Sequence, residues 1–575
     1  MGNWVKEFIS RWNPVNWFDE HTFLIVLGIP VGICGGLASV ALNHSIHFFA
    51  HLFSAITNPW VLIFFPAIGA LLSIFFMTAV FRETRIHAVP VVIYSVSRQG
   101  GLLHLRSAIS HLIGCLCTIA FGGSAGPEAP VVVSGSSIGS NIARLFCLNE
   151  RQRVAMVGCG IAAAISAIFN APLAGIIFSI EVVLGEWASV NLLPIAVSSV
   201  VATQISRIWY GNQIPFEHWS YQIDTLDIVA SVGLAFLVSV VAFVFVRVMS
   251  FIEKKAAVLF SNLYIRGVAG GLCVGMLGFF FPDILGEGYE TIRKIIENQY
   301  QQPLVLMMLL IGLKILATSL TLGTGSAGGV FAPSLVLGCF SGLLYWQMLM
   351  ALWPDAGWVN GGCFALLGMA GTISAVLHAP LTGIFLIVEI TGGYEAILPL
   401  ICVAVLATSI SRKLIKASIY YRELLERGQL LRPRTDARIL ADISVRDILV
   451  ESHQHIAPDM RLREFVDLIK INDQDYYPVI DPKSGKYHGL VFVAHARPYL
   501  LSPELYDAVL VEEIIEGVDY AISPHDSLLH VMDLFEKTDT EIVPVLDHKK
   551  TFLGTVSKSD ILNQYRKELI VQTTF

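Results

Sequence analysis

Two stretches of this chain repeat one another. Residues 160–181 read GIAAAISAIFNAPLAGIIFSIE, and residues 368–389 read GMAGTISAVLHAPLTGIFLIVE. About half of the paired positions are identical and most of the others are conservative. Each copy is apolar, rich in small residues, and broken by Ala-Pro near its middle. Proline has no N–H to continue a helix but suits a helix's first position. Each copy therefore predicts a helix, a break and a second helix. Two copies predict related halves with broken helices near their junction, an arrangement that places a binding site between the halves.

The surroundings decide the solvent. From about residue 22 to 411, apolar segments follow one another with few charges. Hydrophobic residues make up 54% of the chain and charged ones 14%, with mean hydropathy +0.65. That composition fits a polytopic membrane protein carrying a soluble part. The pattern predicts long helices at 22–56, 59–81, 226–252 and 265–281. Segments at 154–168, 172–184, 362–377 and 381–391 fall short of the ~20 residues of a full span. Short membrane helices persist only when buried in protein or lining a cavity. Gly28, Gly32, Gly35 and Gly36 predict close packing of the first helix, and Gly135-x-x-x-Gly139 predicts a helix contact face.

Other classes of function find little support. A net charge of −7 offers no basic surface for nucleic acid. The nine cysteines show no metal-ligand spacing, and Cys115-x-Cys117 reads as packing. No nucleophile–base pair stands out, so the expectation is a transport protein and not an enzyme, with no resident metal or cofactor. The Trp-rich segment 1–20 predicts an interfacial helix, not a cleaved signal.

The chemistry centres on two glycine-rich turns. Residues 121–129 read FGGSAGPEA and residues 323–332 read GTGSAGGVFA, and both run into Ala-Pro. The first N–H groups of a helix have no partner within it, and the helix dipole is positive there. A Gly-x-x-Ala-Pro turn opening a helix is therefore an anion seat. Gly126 and Pro127 build the first seat, and Val330 and Phe331 the second. Glu128 stands in the first seat, where its carboxylate would compete with an anion; Phe331 holds the equivalent place in the second.

These residues resemble the CLC family of chloride channels and anion/proton exchangers. The matching stretches are GGSAGPEAP (122–130), FNAPLAGIIFSIE (169–181), KILATSLTLGTGSAGGVFAPSLVLG (314–338) and HAPLTGIFLIVEITG (378–392). With the tail described below, the resemblance covers nearly the whole chain. It implies an α-helical polytopic fold of two inverted-topology repeats with broken helices, here about 21–210 and 226–415 within a transmembrane domain 21–415. It also implies a homodimer in the bilayer with one pathway per subunit for small monovalent anions, chloride above all. Position by position, it makes Glu128 the gating glutamate. The amides of Val330 and Phe331, and the hydroxyl of Tyr420 rather than its neighbour Tyr421, then face the central anion.

Two departures bear on function. Where the family's first anion loop reads Gly-Ser-Gly-x-Pro, this chain has Ile86-His87-Ala88-Val89-Pro90. His87 is expected at the anion; the alternative is a packed or solvated histidine. Second, exchangers of the family usually carry an internal glutamate where this chain has Val182, which cannot relay a proton. The main expectation is therefore a voltage- or pH-gated channel or other proton-uncoupled conductance. The alternative is an anion/proton exchanger in which Glu186, a turn beyond Val182, joins Glu128 in the proton path. Glu181 and Glu389, at equivalent repeat positions, are expected to be buried, hydrogen-bonded structural residues. A more distant alternative, a metal-ion transporter linked to CBS domains, would need a line of intramembrane acids that the apolar segments lack.

From Arg412 onward the composition is that of a soluble domain. The basic run 412–428 marks its side of the membrane as cytoplasmic, and short loops suggest a prokaryotic inner membrane. After a linker at 416–440, two similar segments, 441–505 and 506–570, resemble a tandem pair of α/β CBS domains. In that family Gly-x-x-Ser/Thr-x-x-Asp holds an adenosine ribose, and Gly554 to Asp560 fit it. Ser557 and Asp560 are the candidate adenine-nucleotide contacts; the rival expectation is a structural pair with no ligand.

Overall fold

The computed structural model describes residues 19–54, 58–83, 88–185, 189–211, 223–300, 302–426 and most of 443–574. The chain divides into two compact units, Met1–Leu430 and Leu431–Phe575. Most of the proposed interfacial helix, and the linker beyond Glu426, lie outside the described residues.

The first unit is helical. Its first half runs α1 (Glu20–Ser54), α2 (Phe65–Phe75), α3 (Ala88–Arg98), α4 (Leu105–Ala120), α5 (Glu128–Leu145), α6 (Glu150–Phe169), α7 (Pro172–Phe178) and α8 (Ser189–Tyr210). π-Helical turns, Phe76–Val80 and Ser179–Leu184, prolong α2 and α7. The second half runs α9 (Thr225–Leu259), α10 (Leu263–Phe280), α11 (Tyr289–Ile296), α12 (Leu304–Gly323), α13 (Phe331–Leu352), α14 (Gly361–Leu377), α15 (Pro380–Thr391) and α16 (Ile397–Leu414). α17 (Ile419–Glu426) follows. Among the described residues, nine helices are long and apolar enough to cross a membrane, and α3, α4, α7, α14 and α15 are shorter apolar helices.

The repeat is visible in the backbone. Asn170 and His378 both end their helices in the left-handed region, at φ 54° and 59°. Ala171 and Ala379 then share φ −128°, and Pro172 and Pro380 open the next helix. Glu181 and Glu389 cap each other's halves. Glu181 accepts from the N–H of Leu381 (3.2 Å) and from the N–H and hydroxyl of Thr382 (2.7 and 2.8 Å). Glu389 accepts from the N–H groups of Leu173 (2.9 Å) and Ala174 (2.7 Å). These bonds satisfy the orphan donors at the start of α15 and α7. Both carboxylates are half-buried rather than buried, because the helix starts they cap lie partly at the surface.

Small residues let these helices touch backbone to backbone. A methyl on Gly135 or Gly139 would come within 2.1 Å of the Gly160 carbonyl or 2.0 Å of that of Met156. The second half repeats the contact with Gly338 on Gly368 (2.4 Å) and Gly342 on Phe364 (2.0 Å). Gly135-x-x-x-Gly139 thus works as the predicted contact face, and Gly338-x-x-x-Gly342 is its counterpart in the second half.

The second unit holds two α/β modules. The first carries α18 (Leu462–Ile471), β1 (Tyr476–Ile480), β2 (Tyr487–Phe492) and α19 (Val493–Leu500). The second carries α20 (Leu528–Thr538), β3 (Ile542–Leu546), β4 (Phe552–Ser557) and α21 (Lys558–Thr574). Each strand pair is antiparallel, with the same register break, after Val479 in one and after Val545 in the other. A division at 505/506 cuts across both cores. Ile443, Val445 and Ile448 pack with Leu528, Phe535 and Val545, whereas Val509 and Val511 pack with Phe465 and Tyr477. Each module thus takes part of its core from the segment leading into the other.

Candidate anion site

The two glycine-rich turns meet. The N–H of Gly126 donates to the carbonyl of Gly329 and the N–H of Gly329 to that of Gly126, both at 2.8 Å. Neighbouring helices fix the pair. The N–H of Ser124 donates to Thr321 Oγ1 (3.1 Å) and its hydroxyl pairs with Thr318 (2.9 Å), both on α12. The N–H of Ala327 donates to Ser73 Oγ on α2 (3.0 Å). The cross-turn bonds use the N–H groups of Gly126 and Gly329, so the helix starts at α5 and α13 lie side by side with their own first amides still to be satisfied. Two positive helix ends at one buried point make a strong anion seat.

Glu128 fills it. The residue is 1% exposed. Tyr289, the first residue of α11, donates its hydroxyl to Glu128 Oε1, and the carboxyl lies near the amide of Ala332. Oε2 is buried without a hydrogen-bond partner. It lies so close to the α-carbon of Gly126 that a β-carbon there would be 2.0 Å from it. Only glycine leaves room for the carboxylate to fold back over its own helix start.

Aromatic side chains wall the seat. Phe331 packs on Phe169 (5.4 Å between ring centres) and Phe178 (5.9 Å), and Phe169 meets Tyr289 edge-on at 6.4 Å. Of the two adjacent tyrosines, Tyr420 is buried and close enough to sense the charge of Glu128. Tyr421 instead donates to the carbonyl of Val182 (3.1 Å). Gly126, Pro127, Glu128, Val330, Phe331 and Tyr420 therefore gather in one place. His87 and Glu186 lie outside the described residues. Val182 is 2% exposed in the π-helical turn after α7.

Three residues here were not singled out from the sequence. Tyr289 and Glu287 come from the Gly286-Glu287-Gly288-Tyr289 loop. Lys314 is 0% exposed and donates to the carbonyls of Ile284 (3.0 Å) and Gly286 (3.1 Å). Its signal was legible: it is the lone charge in the apolar stretch of α12, and an ionisable residue within a membrane segment is a functional candidate by default. Tyr289 carried no such signal, because a loop tyrosine is ordinary until folding places it.

In the second unit, Ser557 and Asp560 bind each other. Ser557 donates its hydroxyl (2.6 Å) and N–H (3.1 Å) to Asp560 Oδ2, and the N–H of Asp560 donates back to Ser557 Oγ (3.0 Å). This is a capping box at the start of α21.

Residues 69–412 match the family model described as voltage gated chloride channel. The chain belongs to this family, the CLC family. Residues 511–567 also match the CBS domain model. CLC relatives include the H(+)/Cl(−) exchange transporter ClcA of Vibrio cholerae, 27% identical over 74% of this chain and 92% of the relative. The voltage-gated ClC-type chloride channel ClcB of Escherichia coli is also 27% identical, over 69% of this chain and 97% of the relative. The fold is that of the solved slow cyanobacterial Cl−/H+ antiporter, with TM-score 0.63 and 23% identity over 71% of this chain and 97% of that one. CLC membership makes the first unit a multi-pass anion-transport domain, and its halves are the inverted repeats of that fold.

Proposed function

We propose that the protein exchanges chloride, or a similar small monovalent anion, for protons, with Glu128 as the gate. The observation that carries this reading is the seating of the Glu128 carboxylate at the paired starts of α5 and α13. A carboxylate held by a hydroxyl and seated at two positive helix ends leaves when a proton neutralises it, and an anion then takes its place. Anion entry is thereby tied to proton arrival. The resemblance to an exchange transporter and the shared antiporter fold favour coupling over free conductance.

A second reading keeps its own observation. Val182 is buried where exchangers of the family usually place an internal glutamate, which favours an uncoupled conductance; under coupling, Glu186 is the first candidate to replace that carboxylate. The deciding experiment sets opposing chloride and proton gradients across liposomes holding the purified protein. Uphill proton movement driven by chloride supports exchange. A reversal potential that follows chloride alone overturns it in favour of the conductance.

The same reading takes the protein as a transporter without catalytic turnover, a homodimer with one pathway per chain, in a prokaryotic inner membrane. Arg412 and Lys413 at the end of α16, and Lys416 just beyond it, favour a cytoplasmic C-terminal unit. There the Ser557–Asp560 box favours a structural role for the CBS pair, an adenine nucleotide at Asp560 being the alternative.

A further inference from the structure

Glu287 sits in the loop joining α10 to α11, two residues before the tyrosine that holds the gate. This loop lies on the membrane face away from α17. α9 ends beside α17, where Lys254 pairs with Glu426 at 3.2 Å. From there the 18 residues of α10 lead back across the membrane, about 27 Å at 1.5 Å per residue. The loop rests on the turn that leads to Glu128, with the Gly286 N–H 3.5 Å from the Gly122 carbonyl. Beneath it, the fully buried Lys314 ammonium is held by the carbonyls of Ile284 and Gly286.

Two carboxylate oxygens in this region, Glu287 Oε1 and Glu128 Oε2, are buried with no hydrogen-bond partner. Glu287 is close enough to sense the charge of Glu128. Tyr289 on α11 and Cys115 on α4 sense both, Lys314 on α12 faces Glu287, and Asp283 acts on Lys314. An orphaned carboxylate oxygen is costly while charged. Two neighbouring carboxylates near one buried ammonium are most stable when a single proton is divided between them.

We propose that Glu287 is the outer proton carrier for the gate, sharing one proton with Glu128 and exchanging it with water on the face away from α17. The inference rests on reading Glu128 as the gate. In the forward step, neutral Glu287 gives its proton to the Glu128 carboxylate. Glu287 becomes a carboxylate beside the Lys314 ammonium, and neutral Glu128 is free to leave the seat. Glu287 then takes a proton from outer water, so the net change is one proton moved inward to the gate. The reverse sequence discharges it.

The test uses full-length Glu287→Gln protein in liposomes, with chloride flux recorded against outer pH and proton flux recorded in parallel. Removing a coupled carboxylate should move the outer-pH midpoint of chloride flux by about one unit or more. Proton flux should fall about tenfold relative to chloride flux, and Glu287→Asp should restore most of it. A wild-type pH midpoint and proton-to-chloride ratio in Glu287→Gln overturns the proposal, as does a parallel fall of both fluxes with the midpoint unchanged. Should the Gln protein fail to fold, Glu287→Asp serves alone, since a carboxylate one methylene shorter must still shift the midpoint. If the wild type moves no protons, exchange fails as a reading, while the outer-pH midpoint still decides the role of Glu287.

Discussion

Replacing Gly126 by alanine should unseat the gate without unfolding the protein. The new β-carbon would fall 2.0 Å from Glu128 Oε2 and 2.9 Å from the Ala332 β-carbon. Ordinary carbon–oxygen contact begins well beyond the first distance, so one group must move. The carboxyl is the end of a flexible side chain; Ala332 is fixed in a helix. The carboxylate is therefore the group displaced, and it loses its bond from Tyr289 and its place at the helix starts. A hydrogen bond to a charged group is worth about 1.5–3 kcal/mol. At about 1.4 kcal/mol per tenfold, the seated state should lose roughly ten- to a hundredfold in population. Chloride efflux from proteoliposomes should rise and lose much of its pH dependence. The same substitution made in Glu128→Ala protein should have a clearly smaller effect, because the 2.0 Å clash is gone and only the 2.9 Å approach to the Ala332 β-carbon remains. An equally large effect in that background would show that the Ala332 contact dominates and would refute the reasoning.

Glu389→Ala removes the acceptor for two N–H groups at the start of α7 and should cost about 2–4 kcal/mol, read as a lower melting temperature in detergent; Glu181→Ala should behave alike, and an unchanged melting temperature would deny the reciprocal caps. Asp560→Ala breaks the box with Ser557 and should cost the second unit about 1 kcal/mol. On the structural reading, ATP, ADP and AMP produce no thermal shift in either protein, and a shift seen only in the wild type would establish the nucleotide site. His87→Ser should change the preference among chloride, bromide and nitrate if the imidazole meets the anion; unchanged reversal potentials would place His87 outside the filter.

The sequence by itself determined the helical order, the two related halves, the glycine turns and Glu128. Each is a local signal: apolar run length, Ala-Pro breaks, and small residues at helix spacing. It also pointed to the close helix contacts, since GxxxG has few other uses in an apolar segment. Tertiary structure decided what meets what. Glu181 and Glu389 were legible as equivalent, but nothing local shows that each serves the other half of the repeat. The sharing of core segments between the CBS modules was hidden for a similar reason: a short apolar stretch such as 443–448 does not reveal which distant core it completes. Tyr289, Glu287 and Lys314 come from one loop and the two helices after it, yet Tyr289 and Glu287 lie beside Glu128, on a helix far earlier in the chain. Residues so far apart in sequence become partners only when folding brings them to one dry site, where losing water makes each charge depend on its neighbours.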